Sequence, residues 1–205
     1  MHKRLLLALL LCAAGAFAKD GFKPLFNGKN LDGWDGDPRL WKAQDGMIVG
    51  STEGNPLKYN SFLATKKSYA NFILRAQAKL RNHNSGIQFR SELIPELKWA
   101  VRGYQADMAE NNYWGCIYEE KSLKKRGILV DGWKGKAEKV VKLMDWNDIE
   151  LRCEGDHINL KVNGLETADL HDSEKLSGII ALQLHQGPAM EVYFRHLEIK
   201  VLKAK

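Results

Sequence analysis

Apolar and polar residues alternate with a period of two through most of this chain, and that pattern restricts the fold more than any other feature. A strand sends successive side chains to opposite faces, so strict alternation marks strands buried on one side. Residues 72–80 carry apolar residues at every even position. Ile87 and Phe89 alternate with Gln88 and Arg90, and Tyr104, Ala106 and Met108 with Gln105 and Asp107. The same rhythm runs through Ile149, Leu151 and Cys153, through Ile158, Leu160 and Val162, and through Ile180, Leu182 and Leu184. Val192 and Phe194 continue it, and the phase reverses at His196 to give Leu197, Ile199 and Val201, which predicts a β-bulge. Gly155-Asp156 and Asn163-Gly164 are hairpin dipeptides between such runs. Helical periodicity is confined to 136–144, where Val140, Val141 and Met144 would face inward and a strand-and-loop reading competes. Many short strands with turn chemistry between them predict an all-β fold of two packed antiparallel sheets.

The first residues read as a targeting segment. His2, Lys3 and Arg4 precede an apolar run, Leu5 to Ala14, that is too short to span a bilayer, which takes about 20 residues. Ala16-Phe17-Ala18 supplies a small-x-small cleavage pattern. The expectation is a signal peptide over 1–18, export to the periplasm or the exterior, and a single domain over 19–205 with no integral membrane segment. Leu11 before Cys12 is too large for a lipidation signal. The chain carries a formal charge of +6, and its densest basic run, Lys121 to Arg126, has no interleaved aromatics. That reads as a solvated loop, and no nucleic-acid partner is expected. Cys116 and Cys153 sit in strand-like contexts that suit either a bridge or two buried thiols.

Three strands each place polar side chains at i and i+2: Gln88 and Arg90, Gln105 and Asp107, Gln183 and His185. If those strands are neighbours, six polar groups converge on one sheet face. Amides and guanidinium match vicinal hydroxyls, and Asp and His move protons. The plainer alternative is the polar face of any half-solvated strand. Asn84 lies in the turn before Gln88, where it either sets the turn or contacts a ligand. Glu119 and Glu120 follow Tyr118 as candidates for an acid, a base or a metal ligand. Trp99, Trp114 and Trp133 are glycine-flanked or loop-like and would stack on sugar if exposed, whereas Trp34, Trp41 and Trp146 read as packing. His83, Asp107, Glu119 and His185 are able to ligate a metal, but their spacing forms no metal motif, so no metal is predicted. No phosphate loop, dinucleotide fingerprint, nucleophile elbow or HExxH pattern occurs, and no cofactor or oligomeric state is assigned.

The ordered motifs resemble one family. Residues Gly21-Phe22-Lys23-Pro24-Leu25-Phe26-Asn27-Gly28-Lys29-Asn30-Leu31-Asp32-Gly33-Trp34 are similar to the opening signature of the 3-keto-disaccharide hydrolase domain family. Asn84-Ser85-Gly86-Ile87-Gln88-Phe89-Arg90, Gly103-Tyr104-Gln105-Ala106-Asp107, Trp146-Asn147, Val162-Asn163-Gly164 and Gly178 to His185 follow in order. The resemblance covers nearly all of 19–205 and implies a concanavalin A-like jelly roll whose concave sheet binds carbohydrate. It also implies action on glycosides oxidised at carbon 3: a base removes the C2 proton and the anomeric group leaves by β-elimination, with water adding back.

On that reading His185 or Asp107 is the base, Arg90 and Gln88 stabilise the enolate, and Glu119 or Glu120 is the acid. Asn84, Gln105, Gln183, Tyr118 and Trp114 would contact substrate. Gln105 stands where many relatives carry an acidic residue, and 117–144 matches weakly. A non-catalytic carbohydrate-binding module and a structural domain of the cell envelope are the competing readings.

Overall fold

The computed structural model describes residues 20–203. The expected signal peptide over 1–18 lies outside them. Fifteen strands build two sheets, and every strand pair is antiparallel. In chain order the strands are β1 (Lys23–Pro24), β2 (Trp34–Asp35), β3 (Trp41–Gln44), β4 (Met47–Ser51), β5 (Ser61–Tyr69), β6 (Phe72–Leu80), β7 (Asn84–Leu93) and β8 (Val101–Ala109). They continue as β9 (Ile117–Glu120), β10 (Gly127–Val130), β11 (Asn147–Glu154), β12 (His157–Val162), β13 (Leu165–His171), β14 (Gly178–Leu184) and β15 (Glu191–Val201). The outer sheet runs β13-β12-β11-β6-β15-β4-β3, with β1 also pairing β15. The inner sheet runs β10-β9-β8-β7-β14-β5-β2. This is the two-sheet antiparallel sandwich that the alternation predicts, in the jelly-roll class that the family resemblance implies.

The alternating apolar residues fill the space between the sheets. Phe72, Leu74, Leu151, Leu160 and Phe194 from the outer sheet meet Ile87, Phe89, Tyr104, Leu182 and Leu184 from the inner one. The dipeptides Gly155-Asp156 and Asn163-Gly164 make the β11–β12 and β12–β13 turns. The phase reversal at His196 is a bulge: the β15–β6 register shifts between Arg195 and Glu198, and His196 has φ 51°. Within 136–144 the only helix is one 3-10 turn, Ala137–Lys139, and Met144 is exposed rather than inward. Cys116 and Cys153 are both buried free thiols, and burial pushes the second up to about 12. Among the described residues, no helix is long and apolar enough to cross a membrane.

The two sheets differ in one respect that matters for function. Strand β6 alternates buried with less buried residues, as a sheet wet on one side should. Strands β7, β8 and β14 are buried on nearly every residue. On β5, Leu63 belongs to the main core, whereas Phe62 and Ala64 join Val101 and Ala181 in a separate cluster on the opposite face. The inner sheet is therefore covered on both faces, and its polar residues on the far face are buried as well.

A second bulge sits in β7. Three residues of β7 span two of β8 between Phe89 and Glu92, and Arg90 has φ 46°. The same bulge shifts the β7–β14 register, where Gly178 lets the backbones meet; a Cβ there would lie 2.5 Å from the Arg90 carbonyl carbon.

Asn147 locks the long 131–146 connection onto the outer sheet. Its side chain accepts from Lys142 N and Asn163 Nδ2 (both 2.8 Å) and donates to the carbonyls of Lys142 and Asp145 (both 2.9 Å). It is fully buried, and replacement takes away the partner of the Lys142 N–H and of the Lys142 and Asp145 carbonyls, while Asn163 Nδ2 keeps its bond to the Val140 carbonyl. Asn147→Ala is expected to lower stability by about 2–4 kcal/mol, read as a lower urea midpoint with an unchanged denaturant slope.

Candidate functional site

The far face of the inner sheet gathers residues from β7, β8, β9 and β14, and each arrives there by the parity of its strand. Strands β14, β7 and β8 are direct neighbours, the condition the sequence pattern needs for convergence. Gln88 stands opposite Gln105, and Gln105 opposite Tyr118. A directional chain of hydrogen bonds links the amides. Ser91 Oγ donates to Gln88 Oε1 (2.7 Å), and Gln88 Nε2 donates to Gln105 Oε1 (2.7 Å). Gln105 Nε2 then donates to Asp107 Oδ1 (3.0 Å) and Gln183 Oε1 (3.3 Å). Gly86 leaves room for this arrangement, because a Cβ there would come within 2.5 Å of the Gln105 side chain.

Asp107 is the chemical centre of the cluster. It is 7% exposed. Its Oδ1 accepts from Met108 N (2.9 Å) and Gln105 Nε2, with Asn84 Nδ2 at 3.5 Å. Among the described residues no donor reaches Oδ2, which stays free to exchange a proton. Burial pushes the Asp107 carboxyl up to about 7; the hydrogen bonds oppose this and the nearby Glu120 charge adds to it. Glu120 shares the face. Burial raises its carboxyl too, and its Oε1 accepts from Asn60 Nδ2 (3.2 Å). Tyr118 is half-buried between the two acids, and its phenol is raised first by burial and then by their charges. Gln183 supplies a buried Nε2 that lacks a partner.

Asn60 is a site residue that the sequence pattern did not reveal. It lies just before β5, with three strands between β5 and β9 in sheet order, yet it bonds Glu120. Its Oδ1 also accepts from Gln186 N (2.9 Å), in the loop that follows His185. One amide therefore bridges β9 and the loop that follows His185. Ser91 escaped notice as well, because the bulge rather than strand alternation brings it to Gln88.

His185 lies past the end of β14 and is half-buried at the rim. Its Nδ1 is 3.1 Å from His83 Nε2 and 2.6 Å from the Gln186 carbonyl, and the two rings meet edge to face at 4.9 Å. Burial lowers the His185 imidazole below its ordinary range, and the His83 charge lowers it further. At neutral pH it is an uncharged base. Asn84 is half-buried at the start of β7, with its Nδ2 3.5 Å from Asp107 Oδ1.

Three expected residues are placed elsewhere. Arg90 shares no face with Gln88, because the bulge reverses the pleat between them. Its Nε (3.0 Å) and Nη2 (2.8 Å) donate to the Ala70 carbonyl in the β5–β6 turn, so it ties the two sheets together. Glu119 pairs in register with the core residue Tyr104 and so faces away from Glu120. There Arg126 holds it at 2.7 Å and pulls its carboxyl below the usual range, in a network with Asp172 and Tyr104. Trp114 is a 2% exposed core residue and has no face to offer a sugar. The glycines around it serve close backbone packing: a Cβ on Gly132 would lie 1.8 Å from the Gly115 carbonyl oxygen. Trp133 packs on the core and Trp99 is half-buried. Trp34 and Trp41 are core residues, and Trp146 lies under Arg195 with 3.9 Å from guanidinium to ring centre.

Comparisons with known proteins give the chain a family and a shared fold. Residues 21–200 match the model of the 3-keto-alpha-glucoside-1,2-lyase-like domain family. Among solved structures, a candidate glycosyl hydrolase from Parabacteroides distasonis is 22% identical with a TM-score of 0.67, over 89% of this chain and 95% of that one. A Bacillus subtilis carbohydrate-binding module, CBM66, is 17% identical with a TM-score of 0.62, over 82% and 95%. A Bacillus licheniformis β-glucanase is 9% identical with a TM-score of 0.59, over 89% and 97%. At these identities the likenesses show a shared fold. No curated protein matches the chain.

The raised Asp107 carboxyl fixes a sign for stability against pH. Below about pH 4 the group is neutral in both folded and unfolded chains. Between there and about 7 the unfolded chain gives up a proton that the folded chain keeps, so stability falls as pH rises and levels off above about 7. The fall is at most about 4 kcal/mol. Asp107→Asn is expected to remove this slope and to be the more stable protein at pH 8, as read by urea unfolding across pH 4–8.

Proposed function

The chain belongs to the 3-keto-alpha-glucoside-1,2-lyase-like domain family, which gives it a carbohydrate-active role, and from that premise we propose that it cleaves glycosides oxidised at carbon 3. The observation that carries this reading is Asp107: a nearly buried carboxyl that titrates about pH 7, oriented through Oδ1 and free at Oδ2. A base tuned to the working pH is what abstraction of an activated C–H requires.

In this reading the C3 ketone acidifies the C2 proton, and Asp107 Oδ2 removes it. The enolate oxygen is met by amide donors, foremost the unpartnered Nε2 of Gln183, in the role expected of Arg90 and Gln88 on the family resemblance. Gln88 instead acts through Gln105, holding it in orientation. Burial raises the Glu120 carboxyl and so favours its acid form, which gives its proton to the departing anomeric oxygen as the C1–O bond breaks. The product is an enone across C1 and C2. Water then adds at C1 and returns a proton to Glu120, while Asp107 returns its own to C2; the sum is hydrolysis. His185 stands at the rim as the alternative base, and Asn84 and Tyr118 as contacts for sugar hydroxyls. Export by the N-terminal segment would place this activity outside the cytoplasm.

The test offers a 3-keto-disaccharide and its unoxidised parent to the purified protein and follows sugar release by chromatography. Cleavage of the keto compound alone is expected, with kcat/KM rising with pH up to about 7 as Asp107 ionises. Asp107→Ala should lose about 10²–10⁴-fold. Glu120→Gln should lose more on a sugar leaving group than on an activated aryl one, which needs no acid. Full turnover in both Asp107→Ala and His185→Ala overturns the assignment. Binding of both sugars without cleavage supports a carbohydrate-binding module instead.

A further inference from the structure

The hairpin at the edge of the outer sheet carries a second cluster of chemical groups, in a different sheet from the site above. Strands β12 and β13 place His157 opposite His171 and Asn159 opposite Asp169. These positions alternate with the core residues Ile158, Leu160 and Ala168 and so face outward. A register shift between Leu160 and Lys161 inserts Thr167 on the β13 side, which brings Asp169 and His171 into phase with His157.

One ligand atom from each of His157, Asp169 and His171 lies within 4.8 Å of the others. His157 Nε2 is 3.0 Å from Asp169 Oδ2, and the two imidazoles stack at 4.6 Å with 6° between their planes. Two of the three donors have supporting partners. Asp156 Oδ1 lies 3.1 Å from His171 Nδ1, which favours the tautomer with Nε2 as a lone-pair donor. Asn159 Nδ2 donates to Asp169 Oδ2 (2.9 Å) and to Glu166 Oε2 (2.8 Å), fixing the carboxylate.

We propose that His157, Asp169 and His171 bind a divalent transition-metal ion of the zinc class and clamp the β12–β13 edge hairpin. Two imidazoles and one carboxylate suit zinc and its neighbours, whereas calcium and magnesium require mostly oxygen ligands. The stacked rings turn about their side-chain bonds to aim both lone pairs at one ion. The two side chains are 36% and 65% exposed, which leaves them room to do so. A bound ion would add a cross-strand link to the outermost strand pair of the sheet.

The test is calorimetric titration of the untagged full chain with Zn²⁺, with Mg²⁺ and Ca²⁺ as controls. The expected result is saturable Zn²⁺ binding that raises Tm, with no response to Mg²⁺ or Ca²⁺. His157→Ala, His171→Ala and Asp169→Asn should each weaken Kd by tenfold or more, and Asp156→Asn by a few-fold. His171→Gln, at the most exposed ligand, guards against loss by misfolding, and far-UV circular dichroism of each metal-free variant checks the fold. The paired His83→Ala and His185→Ala change should leave this binding in place. Absence of Zn²⁺ binding in the unaltered chain overturns the proposal. So does binding that survives the loss of both His157 and His171 but disappears with His83 and His185.

Discussion

Polar groups buried on the far face of the inner sheet must find partners there, and the rest of the site follows from how they do so. An amide or carboxylate shut away from water without a partner costs more than a single hydrogen bond returns. The chain from Ser91 through Gln88 and Gln105 to Asp107 and Gln183 meets that demand with one orientation for each amide. Two places are left incomplete, Asp107 Oδ2 and Gln183 Nε2. In a cluster otherwise fully paired, those are the places where a ligand gains most by binding.

The same closure tunes the acids. Asp107 and Glu120 are both raised chiefly by burial, and Glu120 adds to the burden on Asp107 through like charge. Glu119, one residue from Glu120, is lowered because Arg126 pairs with it on the other face. Two adjacent glutamates therefore hold opposite protonation tendencies, and the difference comes from which side of one strand each occupies. Asn60 contributes to the closure from a distance by bonding both Glu120 and the loop beyond His185. It ties the burial of the acids to the position of the histidine rim.

Bulges decide more of the function than any other local feature. The one at Arg90 turns a presumed site cation into a strut between the sheets and delivers Ser91 to the amide chain in exchange. The one in β12–β13 brings two histidines and an aspartate into phase on the outer edge. Each inserts a single residue, and a single residue is enough to exchange the two faces of a strand.

The sequence by itself determined the sandwich, its hairpin turns, the bulge at His196 and the shared strand parity of Gln105 with Asp107, while the adjacency that gathers Gln88, Gln105, Asp107 and Gln183 on one face came from the sheet order. The former depend on local periodicity, which a strand converts directly into inside and outside. It also carried the family, through motifs kept in order over most of the chain. Only the tertiary structure decided that Arg90, Glu119 and Trp114 lie elsewhere, that Asn60 belongs to the site, and that Asp107 is buried enough to titrate near neutrality. Those outcomes depend on contacts between segments far apart in the chain, on an inserted residue with no marker of its own, and on exclusion of water by neighbouring strands. None of these is a property of a residue and its immediate sequence neighbours.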